Sequence, residues 1–514
     1  MRAVWQFVRH RSNVALLIIL AVGFGIRAFG LSQFAVTHWD EGDIWSGAVW
    51  FGTLGHNGRY HDQVSPPLPS VLFGVFAWPF GLNPRAAVWL SVLLGTASIG
   101  LMYLLVCRLA STRAALIASG LLALSGLHIM YSRSLLTEPF YVFFLLGALL
   151  SSMEYLRTRA LKWVLLTAVS ASCLQLTKYN GCLVALTLLT VLAYEIVTRR
   201  DQSDRARALR HSFLLGGLIA ATIGANITAL ALSKVLPEFI RYFSRFVGGA
   251  PATPGALLGY LQLIIPIPVL CTAFAGIAYA LWKHRSAEWT VVHLGFVLYV
   301  AFVFNYTFYL RLLAPVSTFL IIYVALMTDA LLRSRKVLAY AAVGVVTLAI
   351  GIELWRNLPR YLIRDFGGYA RAGDVLHRLD EGVPVLMITQ RTVWSNLPGN
   401  VRFMPTGPPK DLAIPADTGR VYVVTDLYVY YKYNKRLYLN ALVPFQNRLI
   451  ARVPNPLPYD VVENNLTLSE LGRLEKDPAF REQVLSISVF ELTGDEARRA
   501  LTRHSAPAAK PVSG

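Results

Sequence analysis

Apolar runs of membrane-crossing length recur along the first 355 residues of the chain. A bilayer core is about 30 Å thick, so a crossing helix needs roughly 17 to 25 mostly apolar residues. About eleven runs meet this requirement, and arginine, lysine or other polar residues bound each of them. Their centres lie near residues 22, 97, 121, 144, 169, 189, 222, 269, 299, 322 and 346. The sequence therefore predicts a polytopic α-helical membrane protein with about 11 transmembrane helices.

The composition agrees with residence in a bilayer. Of the 514 residues, 55% are hydrophobic and 15% are charged, and the mean hydropathy is +0.50. An ordinary soluble domain is less apolar and carries about 25% charged residues. Much of the formal net charge of +19 is explained by basic residues that set membrane orientation and attract anionic lipid headgroups. Membrane lipids are thus expected partners, and nucleic acid is not.

Basic residues predict the orientation of the spans. If the N-terminus is cytoplasmic, alternate connections must be cytoplasmic too, and the positive-inside rule requires them to be basic. All five of these connections are basic. They contain Arg108 and Arg113; Arg157, Arg159 and Lys162; the run 199–210; Lys283 and Arg285; and Arg333, Arg335 and Lys336. This register requires that the segment 65–82 does not cross. Four prolines interrupt that segment, so we expect it to be interfacial or re-entrant.

The predicted outer face collects ionisable residues at the ends of the spans. An acidic stretch at 34–47 follows the first span and contains Asp40 and Glu41. Charged groups near hydrocarbon are costly, about 2.5 to 3.5 kcal/mol each at the membrane centre on insertion scales, so they need partners or a function. Arg133 could pair with Glu138, Lys178 could pair with an acid, and Arg311 could extend to the interface. The other outer-face cations of interest lie in the loop 233–255, namely Arg241 and Arg245.

The pattern changes after residue 355. Segments rich in Val, Ile and Tyr at 383–390, 419–431, 447–453 and 484–492 predict strands, and helix-like stretches lie between them. An odd number of preceding spans places this α/β domain outside the membrane. The predicted domains are a transmembrane catalytic domain at 1–355 with an external loop at 32–85, an extracytoplasmic α/β domain at 356–500, and a disordered tail at 501–514.

Five motifs on the predicted outer face resemble those of one enzyme class. They are "WDEG" at 39–42, "SPPL" at 65–68, "SRSLLTEP" at 132–139, "TKYNG" at 177–181 and "YLRLLAP" at 309–315. Their order and shared face resemble the GT-C membrane glycosyltransferases, in the branch of the protein O-mannosyltransferases and the lipid A aminoarabinose transferases. The resemblance covers residues 10–355 and implies a GT-C fold there, whereas the C-terminal domain corresponds only by position.

The resemblance also implies a reaction. A sugar would move from a polyprenyl-phosphate carrier to an acceptor hydroxyl of a glycan, lipid or protein, with inversion at the anomeric carbon. Asp40 would be the general base, because the first acid of the Asp-Glu pair has that role in the class, and Glu41 and Glu138 would be supporting catalytic acids. The carrier phosphate would be bound by cations, namely Lys178 and Arg311, with Arg133, Arg241 and Arg245 behind them.

The chain departs from the class at two places. Asp43 and Ile44 stand where Arg-Tyr is frequent, and Ser65 stands where Lys or His often precedes Pro-Pro-Leu. Each change removes a candidate contact to phosphate or acceptor. The loop histidines His38, His56 and His61 could compensate, or bind a divalent metal with Asp62, so metal dependence stays open although no metal site is predicted.

Two other classes of function remain open. A transporter or flippase of a lipid-linked sugar would also use many spans, but it predicts internal repeats and mid-membrane charges that the sequence does not clearly contain. A non-catalytic envelope scaffold would tolerate loss of the Asp40 carboxylate. For the enzyme we expect a bacterial-type plasma (inner) membrane, with a cytoplasmic N-terminus and an extracytoplasmic C-terminal domain.

Overall fold

The structure, a computed structural model, describes residues 11–57, 66–198, 201–232, 265–305, 310–334, 336–362, 368–388, 401–403, 419–426, 443–455 and 476–497, with short pieces at 236–237, 240, 255, 258, 261–262 and 473–474. These residues form two compact units. The first lies within Met1–Leu31 and Asp43–Leu362, and the second lies within Ser32–Gly42 and Ile363–Gly514. The short segment that carries Asp40 and Glu41 therefore belongs to the same unit as the C-terminal part of the chain.

The first unit is helical. Its helices are α1 (Arg11–Ala28), α2 (Trp39–Gly52, whose first turn belongs to the second unit), α3 (Leu68–Ala77), α4 (Pro84–Leu109), α5 (Thr112–Leu124), α6 (Gly126–Tyr131), α7 (Glu138–Thr158), α8 (Leu161–Gln175), α9 (Leu183–Thr198), α10 (Gln202–Leu232), α11 (Ile267–Lys283), α12 (Ala287–Phe304), α13 (Leu313–Ser334) and α14 (Val337–Tyr361). Short 3-10 turns precede or follow several of them, at Leu31–Gln33, Trp78–Phe80, Tyr179–Cys182 and Leu310–Leu312.

The prediction of a polytopic helical membrane protein is confirmed. Every predicted span centre falls inside a helix. Among the described residues, 7 helices are long and apolar enough to cross a bilayer, namely those at Pro84–Leu109, Glu138–Thr158, Tyr179–Thr198, Gln202–Ala229, Ala287–Phe304, Leu313–Ser334 and Val337–Arg356. The remaining predicted centres lie in α1, α5, α8 and α11, which are apolar but shorter.

The proline-rich segment 65–82 forms a short helix rather than a full-length span. Helix α3 has 10 residues and passes into the 3-10 turn Trp78–Phe80. The Ser70 hydroxyl donates to the Ile44 carbonyl at 3.0 Å, which ties α3 to α2. A Cβ at Gly74 would lie 2.4 Å from the Ala48 carbonyl oxygen, so the close approach of the two helices requires glycine there.

Basic residues of the predicted cytoplasmic connections pair with acids on neighbouring helices. Arg159 binds Glu195 through two nitrogens at 2.5 and 2.6 Å. Asp329 of α13 is 2% exposed and accepts hydrogen bonds from the Ser111 hydroxyl at 2.8 Å and from the guanidinium groups of Arg113 and Arg333. These cations therefore link the ends of helices through ion pairs, in addition to predicting the orientation of the spans.

The second unit contains a 5-stranded sheet with the order β2-β1-β3-β5-β4. Its strands are β1 (Val385–Ile388), β2 (Val401–Phe403), β3 (Val421–Thr425), β4 (Leu449–Pro454) and β5 (Ser486–Leu492), with helices α15 (Gly368–His377) and α16 (Pro478–Val484) and the 3-10 segment Val443–Arg448. Strand β1 is parallel to β2 and β3, whereas β5 is antiparallel to β3 and β4. The four predicted strand segments overlap β1, β3, β4 and β5, so the predicted α/β character is confirmed, and β2 was not predicted.

Candidate active site

The acids of the first external segment lie at the start of α2. Glu41 Oε2 accepts hydrogen bonds from the backbone N–H groups of Thr37 at 3.0 Å and His38 at 2.9 Å. His38 Nδ1 accepts from the backbone N–H of Asp40 at 3.0 Å. This is a capping-box arrangement. The side chain of His38, the residue before the helix, accepts from a backbone N–H of the first turn, and the side chain of Glu41, the third helical residue, accepts from the backbone N–H of His38. The sequence "THWDEG" therefore positions the helix start through His38 and Glu41.

The two adjacent acids consequently have different environments. The Glu41 side chain is 1% exposed and holds the helix start together. Asp40 is the second residue of α2 and is partly exposed. Of the two acids, Asp40 is therefore the more exposed.

Glu138 and Lys178 form an ion pair in the first unit. Glu138 is the first residue of α7 and is 1% exposed. Its Oε1 accepts a hydrogen bond from Lys178 Nζ, and the Lys178 side chain is 20% exposed. The ammonium also lies 5.8 Å from the ring centroid of Tyr141. The predicted alternative, that Lys178 pairs with an acid, is thus what the structure contains.

Arg133 binds the carbonyl end of α1. Its Nη1 lies 2.8 Å from the Arg27 carbonyl oxygen, 2.6 Å from that of Phe29 and 3.3 Å from that of Ile26. Burial lowers the pKa of Arg133 to about 10, so the guanidinium remains a cation at neutral pH. Arg133 therefore caps the carbonyl end of α1, and its contact with phosphate stays a prediction.

The sequence predicted no role for Arg27, whose side chain binds the carbonyl end of another helix, α5. The Arg27 side chain is fully buried and donates to the carbonyls of Ala123 at 3.0 Å and Leu122 at 3.2 Å, at the end of α5. Its Nη2 also lies 2.7 Å from His128 Nδ1. The signal in the sequence was an arginine inside an apolar run, where a charge needs several acceptors.

The remaining candidates are located only in part. Arg311 is partly exposed and lies in the 3-10 turn that leads into α13. Arg241, Arg245, His61 and Asp62 lie outside the described residues. Within the part of the chain that the structure describes, no group of three or more His, Cys, Asp or Glu side chains could hold a metal ion.

The chain was compared with models of known protein families and with curated proteins. A family model described as dolichyl-phosphate-mannose-protein mannosyltransferase (PMT) matches residues 73–230. A search of the curated proteins found no match to the chain.

Solved structures resemble most of the chain. The oligosaccharyltransferase AglB from Archaeoglobus fulgidus, in complex with an inhibitory peptide and a dolichol-phosphate, is 13% identical with a TM-score of 0.58, over 85% of this chain and 72% of that chain. ArnT from Cupriavidus metallidurans in the apo state is 15% identical with a TM-score of 0.58, over 85% of this chain and 96% of that one. ArnT bound to undecaprenyl phosphate has the same identity and TM-score, over 83% and 94%.

The chain has the GT-C fold. The resemblance expected from the motifs is therefore confirmed, although identities this low establish the fold alone. The PMT match includes Arg133, Glu138 and Lys178 of the GT-C helical unit. It does not reach Asp40, Glu41 or Arg311, whose roles remain predictions.

The contribution of the Glu138–Lys178 pair to the stability of the fold can be tested. Lys178→Met should lower the free energy of unfolding by on the order of 3 kcal/mol, because Glu138 would be left as a buried, uncompensated charge. The double variant Glu138→Gln/Lys178→Met should recover most of that stability. Thermal unfolding in detergent measures both changes.

The exposed pair Arg420–Asp380, at 3.1 Å with side chains about half exposed, provides a matched control. Arg420→Met should change stability by less than about 1 kcal/mol. A Lys178→Met variant as stable as the wild type would show that the pair is not a buried ion pair.

Proposed function

We propose that the protein is an inverting glycosyltransferase that moves a sugar from a polyprenyl-phosphate carrier to an acceptor hydroxyl of a glycan, lipid or protein. The observation that carries the proposal is the PMT match to residues 73–230 within a chain of GT-C fold. The AglB and ArnT structures with dolichol-phosphate and undecaprenyl phosphate support a carrier of this class. The motifs that resemble the class continue into "WDEG" and "YLRLLAP", outside the matched range.

The residue types fit the demands of this reaction. When a sugar leaves a phosphate, the leaving group departs as an anion that nearby cations stabilise, so no general acid is needed. The acceptor hydroxyl must lose a proton as it attacks an oxocarbenium-like carbon, and this step requires one positioned carboxylate. One base and several cations therefore suffice.

Asp40 is the proposed general base. Carboxylates have reference pKa values near 4 and are ionised at neutral pH, so Asp40 can accept a proton late in the transition state. Its place in the first turn of α2 and its partial exposure support this role. Glu41 supports it by fixing the helix start.

Lys178 and Arg311 are the proposed ligands of the carrier phosphate. The partial exposure of both side chains allows contact with a ligand. Glu138 orients Lys178 through their ion pair. Arg133 supports the site from behind by capping α1, and Arg241 and Arg245 remain further candidates for phosphate binding.

The proposed site faces the outside of a bacterial-type plasma membrane. This orientation rests on the basic connections and places the C-terminal domain on the same side as the site. A C-terminal alkaline phosphatase fusion of the full chain should therefore be active in a bacterial host, and a C-terminal green fluorescent protein fusion should be dark. The reverse pattern would contradict the orientation.

Replacing the base should abolish transfer without unfolding the protein. In cells that lack the protein, one envelope glycan should lose a sugar and the matching lipid-linked donor should accumulate. Wild type should restore both and Asp40→Asn neither, because the amide cannot accept the proton at the required step. Mass spectrometry of glycans and polyprenyl-linked sugars measures this result, and the lost mass identifies the sugar.

Asp43→Asn is the matched control, since it makes the same chemical change one turn further along α2. It should complement. Full complementation by Asp40→Asn would contradict the assignment of the base and favour a transporter or a scaffold.

A further inference from the structure

Two residues of the first unit that carry a buried, unpaired polar atom line one small cavity. The cavity lies between α5, α6, α7 and α13, and its lining includes His128, Tyr131, Ser132, Glu138, Ser317 and Thr318. The His128 side chain is 7% exposed and that of Glu138 is 1% exposed. Among the described residues, His128 Nε2 and Glu138 Oε2 have no hydrogen-bond partner. Buried polar atoms in native proteins almost always have one, so the cavity needs an occupant.

The contact with Arg27 fixes the protonation state of His128. Arg27 Nη2 lies 2.7 Å from His128 Nδ1, and a guanidinium can only donate. Nδ1 must therefore accept with its lone pair, the ring must be neutral, and its hydrogen must be on Nε2. The cavity thus presents an N–H donor from His128 and a carboxylate acceptor from Glu138.

The neighbouring hydroxyls add acceptors. The Ser132 hydroxyl donates to the His128 carbonyl at 2.6 Å, and the Thr318 hydroxyl donates to the Ala314 carbonyl at 2.8 Å. Their hydrogens are already engaged, so their oxygens can only accept from an occupant. A water molecule has the complementary set, since it accepts from one donor and donates to two acceptors. The space within the cavity is close to that of one water.

We infer that this cavity binds a single water molecule that bridges His128 Nε2–H to Glu138 Oε2. Both oxygens of Glu138 are then held, one by Lys178 and the other by the water. His128 is therefore a positioning residue, which acts on Glu138 through the water and is itself oriented by Arg27. This role in transfer rests on the proposed function, whereas the water site does not.

The water site is tested on the full chain in lipid nanodiscs, at a resolution that shows ordered water. Wild type should contain one density peak within hydrogen-bond distance of both His128 Nε2 and Glu138 Oε2, and His128→Phe should lack it. A wild-type map without that peak, or with a direct contact between the two side chains, would overturn the proposal even if transfer is confirmed.

The positioning role is tested with two variants of His128. Gln retains an N–H donor near the position of Nε2, whereas Phe fills the space without a donor. His128→Phe should reduce kcat by about tenfold or more and also raise KM for the lipid-linked donor, because a misplaced Glu138 no longer orients Lys178 toward the carrier phosphate, either in the bound donor or as the phosphate leaves. His128→Gln should remain close to wild type.

Equal loss of kcat in both variants, with unchanged thermal unfolding, would contradict the role of the donor. An unchanged kcat in His128→Phe would contradict it too. Absence of transfer in the wild type itself would refute the proposed function and leave the structural test of the water site valid.

Discussion

Two buried arginines of the first helical unit each bind the carbonyl end of a helix to which the arginine itself does not belong. Arg27 of α1 donates to the last carbonyls of α5, and Arg133, in the turn before α7, donates to the carbonyls that end α1. A buried guanidinium is costly unless its donors are satisfied, and each hydrogen bond to a charged group contributes about 1.5 to 3 kcal/mol. The negative end of each helix dipole adds to the attraction.

The acids of the candidate site share one placement and differ in their partners. Asp40, Glu41 and Glu138 all occupy first turns of helices, where carboxylates are favoured. Glu41 accepts hydrogen bonds from the backbone amides before α2, and Glu138 is paired with Lys178. Asp40 keeps a partly exposed side chain. Local capping and pairing therefore give these three acids different partners and different exposure.

Much of the fold could be predicted from the sequence, because span length and strand composition are local properties. The centres of the spans and the segments of β1, β3, β4 and β5 are of this kind. The three-residue strand β2 was missed because a segment so short carries no pattern. Arg113 and Asp329 are 216 residues apart, so their pairing appears only in the folded chain. For the same reason, His128 carries no signal in the sequence, and its contact with Arg27 appears only in the folded chain.

The central claim is that the sugar reaches its acceptor from a polyprenyl phosphate, with the carrier as the leaving group. The most direct measurement is the release of unglycosylated polyprenyl phosphate by purified protein in nanodiscs, supplied with lipid-linked sugars and acceptor extracted from the host membrane. Release that depends on acceptor and equals the amount of glycosylated product is the predicted result. Transfer of sugar across the bilayer with the lipid-linked donor intact, and with no release of carrier, would contradict the account.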